Sequence, residues 1–267
     1  MNACAVPTVK QNEAEARRRF LEPGDPDVST AICPTDGMFK PDGQKHYFAV
    51  GRSGLECARW ALSDAGRPDP ESILDLPCGH GRVLRFLAAA YPKARLTACD
   101  LLRDGVDFCA DTFGARPVYS QVDPKAIQIP ERFDLIWCGS LMTHFDAPQW
   151  VEFMHLFARL LKPGGVCAFT SHGDYVGLCM RDYNWAYGVP DQVGLLADWA
   201  ATGFGYRGYA DQPGYGISLA ATAWIKGVVA GVPGLRWVSR RPRAWDKHHD
   251  LIVVQRKPRP FWMRWLP

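Results

Sequence analysis

No apolar run in the 267 residues approaches the ~20 that a membrane-crossing helix needs, so no integral membrane segment is expected and any membrane contact is peripheral. The nine cysteines are singletons with no C-x-x-C pair, which argues against a disulfide framework or a zinc ribbon. The N-terminus lacks the basic-then-apolar pattern of a secretory signal, and a cytoplasmic protein with reduced thiols is the expectation. A net charge of +3 is too small to point to nucleic acid. Neither an internal repeat nor a low-complexity tract is present. With 47% hydrophobic and 22% charged residues the composition is that of an ordinary globular chain, so disorder and fibrous classes are excluded. The length is short for two full domains and suits one α/β domain carrying an insertion.

Residues 1–45 mix a charged stretch, Glu13 to Arg19, with Pro- and Gly-rich sequence through Gly43, and read as a flexible leader. The domain itself is expected over 46–258. Val50, Leu55, Cys57, Ala58, Ala61 and Leu62 recur at near-helical spacing, which predicts an amphipathic helix after Gly54 that ends before Arg67-Pro68-Asp69-Pro70. Beyond that break, strands are predicted at Ser72 to Leu76, Arg95 to Cys99, Pro117 to Gln121, Phe133 to Cys138 and Val166 to Ser171. Helices are predicted between them at Arg82 to Tyr91, Leu102 to Thr112 and Pro148 to Leu161. A helix from Ala220 to Ala230 and a hairpin of Leu235 to Ser239 with Leu251 to Gln255 close the pattern. Seven strands alternating with helices predict a doubly wound, mostly parallel sheet, which binds ligands beyond the carboxyl ends of its strands.

The alternation stops over 174–218, where Tyr175, Tyr183, Trp185, Tyr187, Trp199, Phe204, Tyr206, Tyr209 and Tyr215 gather among glycines. So long an irregular stretch predicts an inserted aromatic lid after the fifth strand, able to stack on ligand rings or to form a small satellite core. The tail, 259–267, completes RKPRPFWMRWLP, whose four positive charges and three aromatic residues offer a contact for a partner or an anionic membrane surface.

The segment SILDLPCGHGRVL is the most informative. A strand ends in a glycine loop that opens a helix, an arrangement shared by sites for nicotinamide dinucleotides and for S-adenosylmethionine. The dinucleotide fingerprint requires G-x-G-x-x-G, but Gly79-His80-Gly81 is followed by Arg82, Val83 and Leu84, so the third glycine is missing. Asp100, about twenty residues beyond the loop at the next strand end, is placed to accept hydrogen bonds from a ribose diol. His80 reads as a hydrogen bonder within the loop.

These motifs resemble the class I S-adenosylmethionine-dependent methyltransferases, a Rossmann-like family. ILDLPCGHGRV resembles the family's first motif, ACDLL its second, FDLIWCGSLMTHF its fourth-strand motif and LLKPGGVCAFTSHG the following helix-turn-strand, in the family's order over about 72 to 173. The resemblance implies S-adenosyl-L-methionine as cofactor. It implies Asp75 and Gly79 near the methionine end, with Pro77 and Gly81 in the same loop, and Asp100 with Leu101 at the ribose. It further implies Asp123 beside the adenine amino group and Gly139 bordering the sulfur. Pro77 departs from the pattern, replacing the loop's first glycine and removing an amide donor.

Methyl transfer is an in-line displacement, and a hydroxyl nucleophile must lose its proton to a base. His144 and His172, after the fourth and fifth strands, are the candidates. The cluster Trp245-Asp246-Lys247-His248-His249-Asp250 reads as a polar hairpin turn without metal-ligand spacing, so no metal is expected; a part in the substrate pocket is its functional alternative. The expected activity is methylation of a small polar acceptor, with a sugar or glycan-precursor hydroxyl leading. An N- or O-methyltransferase of a secondary metabolite and a non-catalytic S-adenosylmethionine-binding partner subunit are the alternatives.

Overall fold

The computed structural model describes residues 21–185 and 187–258. Helix α1 (Gln44–Asp64) precedes β1 (Ser72–Asp75), α2 (Leu84–Ala90), β2 (Arg95–Asp100), α3 (Arg103–Phe113), β3 (Arg116–Tyr119), β4 (Phe133–Cys138), α4 (Ala147–Leu160) and β5 (Leu161–Ser171). There follow α5 (Asp174–Tyr183), α6 (Gln192–Thr202), β6 (Phe204–Tyr209), β7 (Gln212–Ala220), α7 (Thr222–Ala230), β8 (Leu235–Trp245) and β9 (His249–Arg256). Seven strands form one sheet in the order β3-β2-β1-β4-β5-β9-β8. All pairings are parallel except those of β9, which runs antiparallel to both β5 and β8. The doubly wound sheet expected from the strand and helix alternation is therefore present.

Two apolar layers sandwich the sheet. One joins Phe48, Leu55, Ala58, Leu84 and Phe86 to Ile73, Leu135 and Trp137, and the other joins Trp150, Phe153 and Phe157 to Leu74, Ile136, Phe169 and Ile252. Burying side chains of this size is worth roughly 1.5–3 kcal/mol each, and the alternation of β4 residues between the layers fixes its register. Helix α4 begins with a capping box in which Asp146 accepts from the Gln149 amide at 2.9 Å while Gln149 accepts from the Asp146 amide at 3.1 Å.

The structure corrects three expectations. Helix α1 starts at Gln44, not after Gly54, and its glycines are notches for α2: a Cβ at Gly51 would lie 2.3 Å from the Arg82 carbonyl oxygen. Residues 174–218 are not irregular but two helices and the hairpin β6–β7, with a satellite core of Val176, Met180, Leu195, Ile217 and Leu219. The leader, where described, holds no helix or strand before Gln44 but is tied down. Arg52 grips Asp25 through two hydrogen bonds of 2.6 Å, and Tyr47 donates to Asp36 at 2.6 Å. Among the described residues no helix is long and apolar enough to cross a membrane. Residues 1–20 and the basic-aromatic tail 259–267 lie outside the described residues.

Arg85 on α2 is the buried tether of the leader. Its guanidinium donates to the carbonyls of Ser29 (3.0 Å), Ala31 (2.8 Å) and Gly81 (3.1 Å). Replacing it removes the side-chain donor to the Ser29 and Ala31 carbonyls, while the Gly81 carbonyl keeps the Arg85 amide at 3.1 Å. Arg85→Met is therefore expected to lower unfolding free energy by about 2–4 kcal/mol, read from urea denaturation at an unchanged slope; a loss within error would show that the tether carries no stability.

Candidate active site

Strands β1 and β2 end side by side, with Asp75 paired to Ala98, and their final residues are both aspartates. Asp75 is fully buried and its Oδ1 has no hydrogen-bond partner among the described residues. Burial first, then the charge of Asp100, raises its pKa well above the ordinary carboxylate value. Asp100 accepts from the Gly79 amide at 2.7 Å through Oδ2 and from the Leu102 amide at 3.0 Å through Oδ1. A carboxylate has about four acceptor directions, so half of its capacity stays free for a ligand. Leu101 and Leu102 stand exposed beside it, by 57% and 53%.

The two loop glycines are there for different reasons. Both have positive φ, +49° at Gly79 and +77° at Gly81, the region that favours glycine. A Cβ at Gly79 would point into open space, where a ligand can approach the backbone, whereas one at Gly81 would strike the Phe113 ring at 2.4 Å. Gly81 is thus explained by packing on α3. Pro77 follows a cis peptide bond. Asp123 caps the 3-10 turn Pro124–Ala126, accepting from the Lys125 amide at 2.9 Å, and Gly139 follows β4. These two lie beyond the strands that flank the central β1–β2 pair. His80 does not bond within the loop but reaches out of it, 3.2 Å from both Thr35 Oγ1 and Asp104 Oδ2, and so clips the leader to α3.

His144 ends a 3-10 turn, Met142–His144, braced by Thr143 donating to the Ser140 carbonyl at 2.6 Å and Ser218 donating to the Met142 carbonyl at 3.2 Å. Its Nδ1 lies 2.7 Å from the Gly216 carbonyl oxygen. A carbonyl can only accept, so Nδ1 carries the proton and Nε2 keeps its lone pair. The ring stacks on Tyr215 at 4.3 Å and 17°. Burial lowers the His144 pKa from its ordinary value, while the Gly216 carbonyl acts in the opposite direction. Burial, then Tyr209 and then Asp100, pushes the Tyr215 phenol up to about 12, so this ring lies within electrostatic reach of the β2 carboxylate.

His172 departs from its expected role. It is fully buried, Nδ1 has no partner, and burial together with His248 and His144 pulls its pKa down to about 3, far too low for an efficient base near neutral pH. The Trp245 to Asp250 segment forms the β8–β9 turn as expected, with the polar residues Asp246, Lys247 and His248 at its tip and buried residues where β9 begins. His249 and Asp250 are buried, and Asp250 accepts from Arg240 Nε at 2.8 Å and the Arg243 amide at 2.9 Å. Ser171 pairs with Asp250 across β5 and β9, which carries the next residue, His172, to His249 at a ring separation of 4.7 Å. The roles of Tyr215 and Gly216 had no signal beyond the aromatic content of the insertion. A cavity of about 670 Å³ opens at the opposite, amino-terminal edge of the sheet between Tyr91, Phe113 and Arg116. It contains none of these groups, and parallel sheets place their chemistry at the carboxyl edge.

Residues 73–165 match the family described as a methyltransferase domain. Similar proteins include a fatty-acid O-methyltransferase of Mycolicibacterium smegmatis, 28% identical over 51% of this chain and 46% of its own length. A ubiquinone/menaquinone biosynthesis C-methyltransferase of Desulfotalea psychrophila is 28% identical over 67% of this chain and 72% of its own. Among solved structures, a sugar N-methyltransferase from a Streptoalloteichus species superposes with a TM-score of 0.55 at 18% identity, covering 86% of this chain and 98% of the other. An S-adenosylmethionine-dependent methyltransferase from Clostridium acetobutylicum gives 0.54 at 15% identity, covering 77% and 92%. The chain spans about half the length of several curated relatives it matches, such as the fatty-acid enzyme. The structural likenesses establish the fold.

Two outcomes follow from the carboxylates. Asp100→Ala removes the acceptor of the Gly79 amide together with the free acceptor directions at the carboxyl edge of the sheet, so calorimetry is expected to show S-adenosylmethionine affinity reduced tenfold or more. Because the folded pKa of Asp75 is raised, the folded state holds the proton more tightly than the unfolded one, and stability falls as pH rises from the ordinary carboxylate value towards the folded one. Asp75→Asn removes that decline. Denaturation at pH 5 and pH 8 is expected to show a variant that gains on the parent at the higher pH; equal slopes would count against a buried, unpaired carboxylate.

Proposed function

We propose that this chain, which over residues 73–165 is a class I S-adenosylmethionine-dependent methyltransferase domain, methylates a hydroxyl of a small polar acceptor, with a sugar or glycan precursor as the leading class. The observation that carries the hydroxyl assignment is His144, held by the Gly216 carbonyl in the tautomer that leaves Nε2 free, against Tyr215. When bound, S-adenosylmethionine supplies an electrophilic methyl group on a sulfonium. The chain's part is to bind, orient and deprotonate.

Asp75, with its unpartnered buried oxygen, suits the cationic methionine end, and Asp100 has acceptor capacity left for the ribose hydroxyls. Leu101 stands with Asp100 at the ribose, with Asp123 assigned to the adenine amino group and Gly139 to the side of the sulfur. Pro77, Gly79 and Gly81 shape the loop, and Gly79 leaves room for the ligand. On the acceptor side, Nε2 of His144 takes the hydroxyl proton while its Nδ1–H remains on the Gly216 carbonyl, which steadies the imidazolium that forms. Tyr209 and Tyr215, from the β6–β7 hairpin, present ring faces on which a sugar can stack. In this reading the insertion is a lid that limits access of water to the site. The relatives' names agree on methyl transfer and differ on the acceptor atom, so they favour the reaction without choosing among oxygen, nitrogen and carbon.

His144→Ala is expected to lower the maximal rate by roughly 10²- to 10⁴-fold with cofactor affinity little changed. The base works when neutral, and burial lowers its pKa from the ordinary imidazole value, so the parent's rate rises with pH on the acid side and levels off above that pKa. S-adenosylhomocysteine release against a panel of sugar and amine acceptors measures both. A variant as fast as the parent on its best acceptor would overturn the base and favour N-methylation.

A further inference from the structure

We propose that His172, His248 and His249 form a binding site for one divalent transition-metal ion of the zinc type, with a coordination position left open. One nitrogen from each ring lies within 4.8 Å of the other two. Tetrahedral zinc with bonds of ~2.0–2.1 Å needs nitrogens about 3.3 Å apart, so binding draws the three rings together. The necessary lone pairs are available. Among the described residues, Nδ1 of His172 and Nδ1 of His249 are both buried without a hydrogen-bond partner, in side chains more than nine-tenths buried. His248 donates from Nδ1 to its neighbour, the Asp246 carbonyl, at 2.7 Å, which leaves the Nε2 lone pair unprotonated. Such a hydrogen bond on the distal nitrogen is the usual orienting partner of a metal-bound histidine.

The scaffold beneath the rings is rigid. His172 extends the β5 strand, His249 opens β9, and the register between these strands brings the two together. Trp245 holds the turn by donating to the Val50 carbonyl at 3.1 Å and packs edge-on to His249 at 5.0 Å. Buried nitrogens without partners are uncommon because they lose hydration for nothing in return, and two in one cluster point to a ligand. Three imidazoles with no carboxylate among them select zinc, nickel, cobalt or copper over magnesium and calcium, which take oxygen ligands. Neutral ligands leave the full dipositive charge in place, so the open position suits a water or hydroxyl oxygen; Tyr187 and Trp185 pack beside the cluster, with ring centroids 5.1 Å from His172 and 5.8 Å from His248. The inference rests on the cluster alone and stands apart from the methyl-transfer reading.

The test uses the full chain without a histidine tag, stripped by chelator and titrated with Co²⁺ under visible spectroscopy, then with Zn²⁺ in competition. One equivalent of Co²⁺ is expected, with ligand-field bands of a nitrogen and oxygen set, displaced by Zn²⁺. A missing second-shell partner alone weakens such sites by ~10- to 100-fold, so His248→Gln and His249→Gln are each expected to lose a hundredfold or more. His46→Gln, an exposed histidine near Asp246, is expected to change nothing. Absence of stoichiometric binding, thiolate charge-transfer bands, or affinity indifferent to the two cluster variants would overturn the site. Where His249→Gln does not fold, His248→Gln and the ¹⁵N shifts of the parent's histidines on Zn²⁺ addition decide in the same way.

Discussion

At the carboxyl end of β1 the chain buries a carboxylate with one oxygen that no described residue satisfies, and sets a second carboxylate at the adjoining end of β2. Two negative charges so close repel, and burial adds to the penalty for ionising Asp75. The arrangement works against the stability of the empty protein and favours a cationic, hydroxyl-rich ligand. The loop follows from it: Asp100 offsets part of its own cost by taking the Gly79 and Leu102 amides, which pins the turn leaving β1 to the turn leaving β2.

The surroundings keep that point from relaxing. Arg85 draws the Gly81 carbonyl and the leader backbone at Ser29 and Ala31 onto α2, and His80 joins the loop to Thr35 and Asp104. Movement of the loop would break hydrogen bonds to three separate segments. A site whose ligand contacts depend on a few tenths of an ångström gains from such support, since misplacement reduces both binding and rate.

On the other side of the sheet's midline, β9 inserts between β5 and β8, so the last turn of the chain arrives beside the end of β5. Four histidines gather there, with different environments. His144 is half-buried, hydrogen-bonded and stacked, as the proposed base requires, whereas His172 and His249 are enclosed, each with an Nδ1 that no described residue partners, as the proposed metal site requires. Burial, rather than residue type, divides the two roles.

Local sequence was sufficient wherever a signal is carried by neighbours in the chain. The period of apolar residues located the strands and helices from 72 to 171, and the order of loop, glycines and Asp100 identified the class of the fold and its ligand edge, because backbone periodicity and turn chemistry act over a few residues. Tertiary structure decided what depends on approach from elsewhere. The glycines of α1 look like helix breakers, yet they are where α2 comes close. The β6–β7 hairpin was hidden because glycine is scarce in strands; at Gly216 a Cβ would lie 2.1 Å from the Arg207 carbonyl oxygen of the paired strand, so only the pairing explains the residue. The histidine cluster joins residues up to 77 positions apart, and the lowered pKa values of His172 and His249 follow from burial first and then from their histidine neighbours. Solvent exclusion and strand register are properties of the assembled fold, which is why His144 and His172 read alike in the sequence and differ in the protein.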